Sequence, residues 1–131
     1  MREKTITVRT DTREEIRLIT NELQRALSSL TSEDGICTIV TPHTTCAISV
    51  NENADPDVRT DLTKALRAMV PAVIFRHGEG NSDAHLLSTI IGTSLSWPYR
   101  GGKFLFGRWQ GIYFLEFDGP RERKVTVYVN D

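Results

Sequence analysis

WQGIYFLEFDGP, residues 109–120, holds the longest apolar run in the chain, and its reading sets the fold. From Ile112 to Phe117 the apolar character is nearly continuous, with no polar alternation until Glu116. Such a run is too short for a buried helix and reads as a strand covered on both faces. Glu116 then needs either solvent or a partner, and another chain is one source of such a partner. Asp118-Gly119-Pro120 has the residue types of a tight turn, and Trp109 reads as core or interface.

Working outward, RKVTVYVN after the turn and TSLSWPY and GKFLFG before it read as further strands. Gly101-Gly102, Gly107 and Asp118-Gly119 separate them. Near the start, KTITVRT alternates Ile6 and Val8 with polar residues. Thr12 and Glu15 fit a capping box, and Ile16, Ile19, Leu23, Leu27 and Leu30 recur at helical spacing behind it. GICTIV predicts a strand closed by Pro42, and CAISVNE predicts the next one, with PHTT as a hairpin connection between them.

A second helix is punctuated by Asp55 as cap, Pro56 at its first position and Pro71 beyond its end. Its expected buried stripe is Val58, Leu62, Ala65, Leu66 and Met69. AVIF predicts a short strand, followed by a third helix from Ser82 as cap to Gly92 as terminator. The whole reads as one α+β domain over residues 1–131, a mostly antiparallel sheet or sandwich with about three helices packed on it.

The composition is that of a soluble globular protein, with 39% hydrophobic and 25% charged residues. A formal net charge of −1 offers no footprint for nucleic acid. PRERK, the one compact basic cluster, reads as a solvated strand entrance. MREKTITVRT has no apolar leader core, and GIYFLEF is too short to span a bilayer, so the expectation is a cytoplasmic protein without membrane contact. Cys37 and Cys46 sit in apolar strands and read as small buried hydrophobes.

RHGEGNSDAH, residues 76–85, gathers two of the three histidines with Glu79, Asn81 and Asp83. His43, His77 and His85 all fall at element boundaries. Gly78 and Gly80 permit a tight return that lets two imidazoles converge. Three histidines leave the fourth position of zinc open, as in catalytic sites. Spacing alone leaves two readings open, a metal site or three polar boundary residues, because H-x7-H is not a specific motif.

Asp55, Asp57 and Asp83 suit helix first turns. Glu79 has no such reason and is a candidate acid/base or an orienting partner for a histidine. Thr44, Thr45, Asn81 and Ser82 add hydroxyl and amide groups, and the start of the third helix offers free N–H groups to an anion. No phosphate loop, dinucleotide fingerprint or nucleophile elbow is present.

Together PHTTCAISVNENADPDV, HGEGNSDAH and GRWQGIYFLEFDGPR resemble the YjbQ-like family, also labelled secondary thiamine-phosphate synthase. The resemblance runs from about Thr5 to Val129. It implies an α+β homotrimer with a metal pocket near a subunit boundary. It maps metal ligation onto His43, His77 and His85, catalytic roles onto Glu79 and Asp83, and substrate contacts onto Thr44, Thr45, Asn81, Ser82, Gln110 and Arg121; Asp118 lies in the same last motif. Cys46 and Arg108 depart from the family pattern.

The implied activity condenses a pyrimidine pyrophosphate with a thiazole phosphate. Expelling pyrophosphate suits magnesium, whereas three histidines suit zinc and hydrolysis. The resulting expectation is a divalent metal enzyme acting on a small phosphorylated substrate. The alternatives are a zinc-dependent hydrolase and a non-catalytic trimer that binds metal or ligand.

Overall fold

A computed structural model describes residues 1–130. Eight strands and three helices follow in the order β1 (Arg2–Arg9), β2 (Glu15–Leu18), α1 (Thr20–Leu30), β3 (Gly35–Val40), β4 (Cys46–Glu52), α2 (Pro56–Ala68), α3 (Ser82–Ile91), β5 (Ser94–Arg100), β6 (Lys103–Phe104), β7 (Gln110–Glu116) and β8 (Glu122–Val129). They form two antiparallel sheets, β1-β8-β3-β5-β6 and β2-β7-β4. The single α+β domain is thus a sheet-on-sheet arrangement with helices added.

β7 is the hinge of the packing, as its apolar run predicts. Ile112 and Phe114 face the larger sheet and join Val8, Ile39, Val125, Val127 and the α1 residues Leu23 and Leu27 in one core. Tyr113, Leu115 and Phe117 point the other way and pack with Ala84 and Leu87 of α3 and with Leu62 and Leu66 of α2. The two-residue period of a strand sends alternate side chains into different cores, so one central strand serves two layers.

Several sequence expectations need correction. The helix expected from Ile16 begins at Thr20, and Glu15–Leu18 is instead an edge strand paired with β7. Glu15 does accept the Thr12 N–H at 3.0 Å, so the capping contact forms, but it closes a turn ahead of a strand. Ile16 and Leu18, two apart, pack in the smaller core while Ile19 enters the larger one, and this two-sheet placement overrides the helical spacing.

PHTT is not a hairpin. β3 pairs with β5 and β8, β4 pairs with β7, and the turn carries the chain from one sheet to the other. AVIF forms no strand: Val73 is 55%, Ile74 98% and Phe75 40% exposed. In α2 the Asp55 cap and Pro56 stand as expected, but no residue is fully buried and Met69 lies in solvent. α3 is preceded by Asn81 as cap residue, not Ser82, and closes at Gly92 with φ 101°. Trp109 is exposed, not core. Cys37 and Cys46 are buried and free, as expected.

Candidate functional site

The site grows from the sheet-to-sheet turn. β3 stops pairing with β8 at Val40, opposite Thr126. Lys124, two residues further along β8, still pairs with Thr7 of β1 on its other side. The turn supplies what the absent strand partner would have given. Lys124 N–H donates to His43 Nε2 at 3.0 Å, and Thr41 Oγ1 donates to the Lys124 carbonyl at 2.8 Å. Both polar groups of one backbone residue are thereby satisfied by side chains.

Accepting at Nε2 fixes His43 chemically. A neutral imidazole has one donor and one acceptor nitrogen, so Nδ1 carries the proton. Burial, and next the positive charge of Arg123, hold the His43 pKa below its ordinary value, which agrees with a neutral ring.

Arg123 anchors the same turn from beneath. Its Nη2 donates to Thr45 Oγ1 at 2.8 Å, and its Nε donates to Glu116 Oε1 at 2.9 Å. A second bond joins Nη2 to Glu116 Oε2. The pair is buried, with side-chain exposures of 4% and 0%. Thr10 Oγ1 and the Asp118 N–H also donate to the carboxylate. Glu116 therefore finds its partner within the chain, and PRERK is not simply a solvated entrance.

Across from the turn stands α3. A cleft of about 490 Å³ separates them, lined by His43 and Thr44 on one wall and by His85, Ser88 and Thr89 on the other. Thr41 N–H to Thr93 carbonyl, at 2.9 Å, joins the two walls. No Lys, Arg, Asp or Glu side chain is among its lining residues.

His77 meets His85 edge to face with ring centroids 5.8 Å apart. His77 Nε2 lies 3.7 Å from Glu79 Oε2, at side-chain exposures of 45% and 75%. The remaining expected residues gather elsewhere. Asn81 Nδ2 and Arg121 Nη2 each donate to Asp118 Oδ2 at 2.9 Å. Burial opposes ionisation of Asp118, but these two bonds hold its pKa below the usual carboxylate range.

Asp83 is gripped by Arg13 at 3.1 Å and Arg67 at 2.7 Å. Burial raises its pKa, but the two arginines outweigh burial and hold the pKa down at about 2. Ser82 is the first residue of α3, behind the cap residue Asn81, whose side chain makes no bond to the helix end. Gln110 sits opposite Glu52 at the far end of β7, where its Oε1 accepts the Gly107 N–H. Thr45 is buried under Arg123.

The expected metal centre does not fit this arrangement. The Nε2 lone pair of His43 is spent on a backbone N–H, and its other nitrogen bears a proton, so neither is free to ligate. Among the described residues, no group of three or more His, Cys, Asp or Glu side chains is placed to hold an ion.

Comparison with known proteins bears on the same point. The family model "UPF0047 protein YjbQ-like" matches residues 4–131. A UPF0047 protein of Methanocaldococcus jannaschii is 46% identical over 123 residues, covering 93% of this chain and 89% of its own. The UPF0047 protein YugU of Bacillus subtilis is 41% identical over 128 residues, covering 96% of each. Among solved structures, a hypothetical protein of Aeropyrum pernix K1 matches with TM-score 0.92 at 36% identity, over 100% of both chains. An uncharacterized conserved protein of Clostridium acetobutylicum matches with TM-score 0.88 at 41% identity, over 97% and 99%.

None of these descriptions carries a thiamine-phosphate synthase, hydrolase or metal-binding assignment. The metal enzyme acting on a phosphorylated substrate, its zinc-hydrolase variant and the metal-binding trimer are accordingly withdrawn. What the comparisons carry is membership: the chain belongs to the YjbQ-like UPF0047 family.

Proposed function

We propose that the cleft between the Pro42–Thr44 turn and α3 binds a small, uncharged polar molecule through a carbonyl or hydroxyl oxygen. His43 Nδ1–H is the donor, and Thr44, His85 and Thr89 complete the contacts. One observation carries this reading: the cleft is lined by imidazole, hydroxyl and backbone groups and by no Lys, Arg, Asp or Glu side chain. A neutral imidazole held by its surroundings polarises a carbonyl oxygen without transferring a proton to it, a use known from other folds. The test is a titration of the full chain with dihydroxyacetone, glyceraldehyde and glycerol, followed by the imidazole nitrogen signals. A saturable shift of the His43 Nδ1–H signal, lost in His85→Ala, is expected. Failure of all three probes to move that signal would sink the reading.

A second reading concerns assembly. We propose that the chain forms a homotrimer, as the family resemblance implies, with the segment from Pro71 to Phe75 covered by a neighbouring copy. What supports it is an apolar stretch outside every helix and strand, in which Ile74 is 98% exposed. Exposed contiguous apolar segments mark interaction surfaces. Sedimentation equilibrium should give a trimer for the wild-type chain and a smaller species for Ile74→Lys. A wild-type monomer at micromolar concentration would refute it.

A further inference from the structure

On the far side of the smaller sheet, between β2 and the first two turns of α2, lies a separate cleft of about 380 Å³. Its walls include Glu14, Glu15, Pro56, Arg59, Thr60 and Lys64. The two carboxylates are already matched. Glu14 is paired with Arg13 and Arg67. Glu15 pairs with Arg17 and accepts the Thr12 N–H.

The two cations are not matched. Among the described residues, neither Arg59 nor Lys64 forms an ion pair with a carboxylate. Arg59 Nη1 is buried from solvent with no hydrogen-bond acceptor. A buried charged donor left unsatisfied is costly. Thr60 and Thr63 line the same wall, but their hydroxyls point back to the helix carbonyls of Pro56 and Arg59, and neither accepts from Arg59 Nη1.

We infer that this cleft is a binding site for a small oxyanion, a carboxylate or phosphate group that presents two oxygens to Arg59 and takes Lys64 as a second cation. Guanidinium is the side chain shaped for such a two-oxygen partner. Lys64, a turn and a half further along α2, adds a point charge on the same wall. The start of α2 contributes its own positive field. The site shares no residue with the histidine cleft and does not depend on how that cleft is used.

The test follows the melting temperature of the full chain at low ionic strength with succinate and with inorganic phosphate. Sodium chloride at matched ionic strength is the control. Either anion should raise the melting temperature by roughly 4 °C at ten times its dissociation constant. Arg59→Ala and Lys64→Ala should each reduce the rise, while His43→Ala keeps it. A response to succinate alone assigns a carboxylate ligand, and one to phosphate alone assigns a phosphate. An equal rise in wild type and Arg59→Ala, or no rise with either anion, overturns the site.

Discussion

At the scale of single residues, His43 and Glu116 show how far side-chain chemistry follows from backbone position. His43 was visible in the sequence as a boundary histidine, but its hydrogen-bond state was not. That state depends on Lys124, 81 residues away, whose N–H reaches it only because β3 has turned off the ladder. The depressed pKa of His43 has a definite sign in stability. The unfolded ring binds a proton at higher pH than the folded one. Its contribution is therefore complete above pH 6.5, the ordinary value, and is lost as pH falls through the lower folded value. His43→Gln should flatten that part of a stability-versus-pH curve measured by urea unfolding, and an unchanged curve would contradict the assignment.

Glu116 could be read as a charge in need of a partner, and Arg123 was in principle legible as that partner. It falls in phase with Val125, Val127 and Val129 on the inward face of β8, so period-2 counting places it inside. The basic look of PRERK concealed this. Glu116→Ala strands a buried guanidinium and should cost about 3–5 kcal/mol in denaturant unfolding. The double variant Glu116→Leu with Arg123→Met should recover most of the loss. A cost under about 1 kcal/mol for the single change would mean the pair is solvated.

At the scale of elements, the helices with strong punctuation were legible and the apolar runs between them less so. Asp55 and Pro56 start α2, and Asp55 accepts the Asp57 N–H at 2.9 Å. β2 was lost inside a helical repeat because Ile16 fits the helical spacing to Ile19 and Leu23 as well as the two-residue spacing to Leu18. The choice rests on pairing with β7, which is a long-range fact. The links between elements were equally hidden: Arg13 before β2 and Arg67 of α2 converge on Asp83 at the start of α3.

That junction makes a prediction for acid. Asp83 titrates at about 2 when folded against an ordinary 3.8. Its stabilisation is complete above pH 3.8 and disappears as pH falls toward 2. Asp83→Asn should destabilise by about 1–2 kcal/mol at neutral pH, allowing for its part-exposed partners, and by little near pH 2. Equal losses at both pH values, by denaturant unfolding, would show that the charge is not what matters.

At the scale of the whole molecule, the α+β class was readable because one strand announced two covered faces. The division into two sheets was not, since the turn residues Pro42–Thr45 suit a hairpin as well as a crossover. The central position of β7 sets the consequence of damage. Phe114 is fully buried in the larger core and Leu115 faces the smaller one. Phe114→Ala should cost about 3–5 kcal/mol and loosen both sheets together. Hydrogen exchange should then show β4 and β8 amides losing protection in parallel; loss confined to β7 and β4 would mean the layers unfold separately.

The adjacency of Arg123 and Lys124 on β8 has one more outcome. Neighbouring residues of a strand face opposite ways, so one serves the buried ion pair while its neighbour's amide holds the histidine. A one-residue slip of β8 would exchange their roles, expelling the guanidinium and misplacing the amide that donates to His43 in the same step. The cleft is thus a built-in gauge of strand register. The exchange rate of the single Lys124 amide proton reads, in one number, whether the chain has threaded its two sheets correctly.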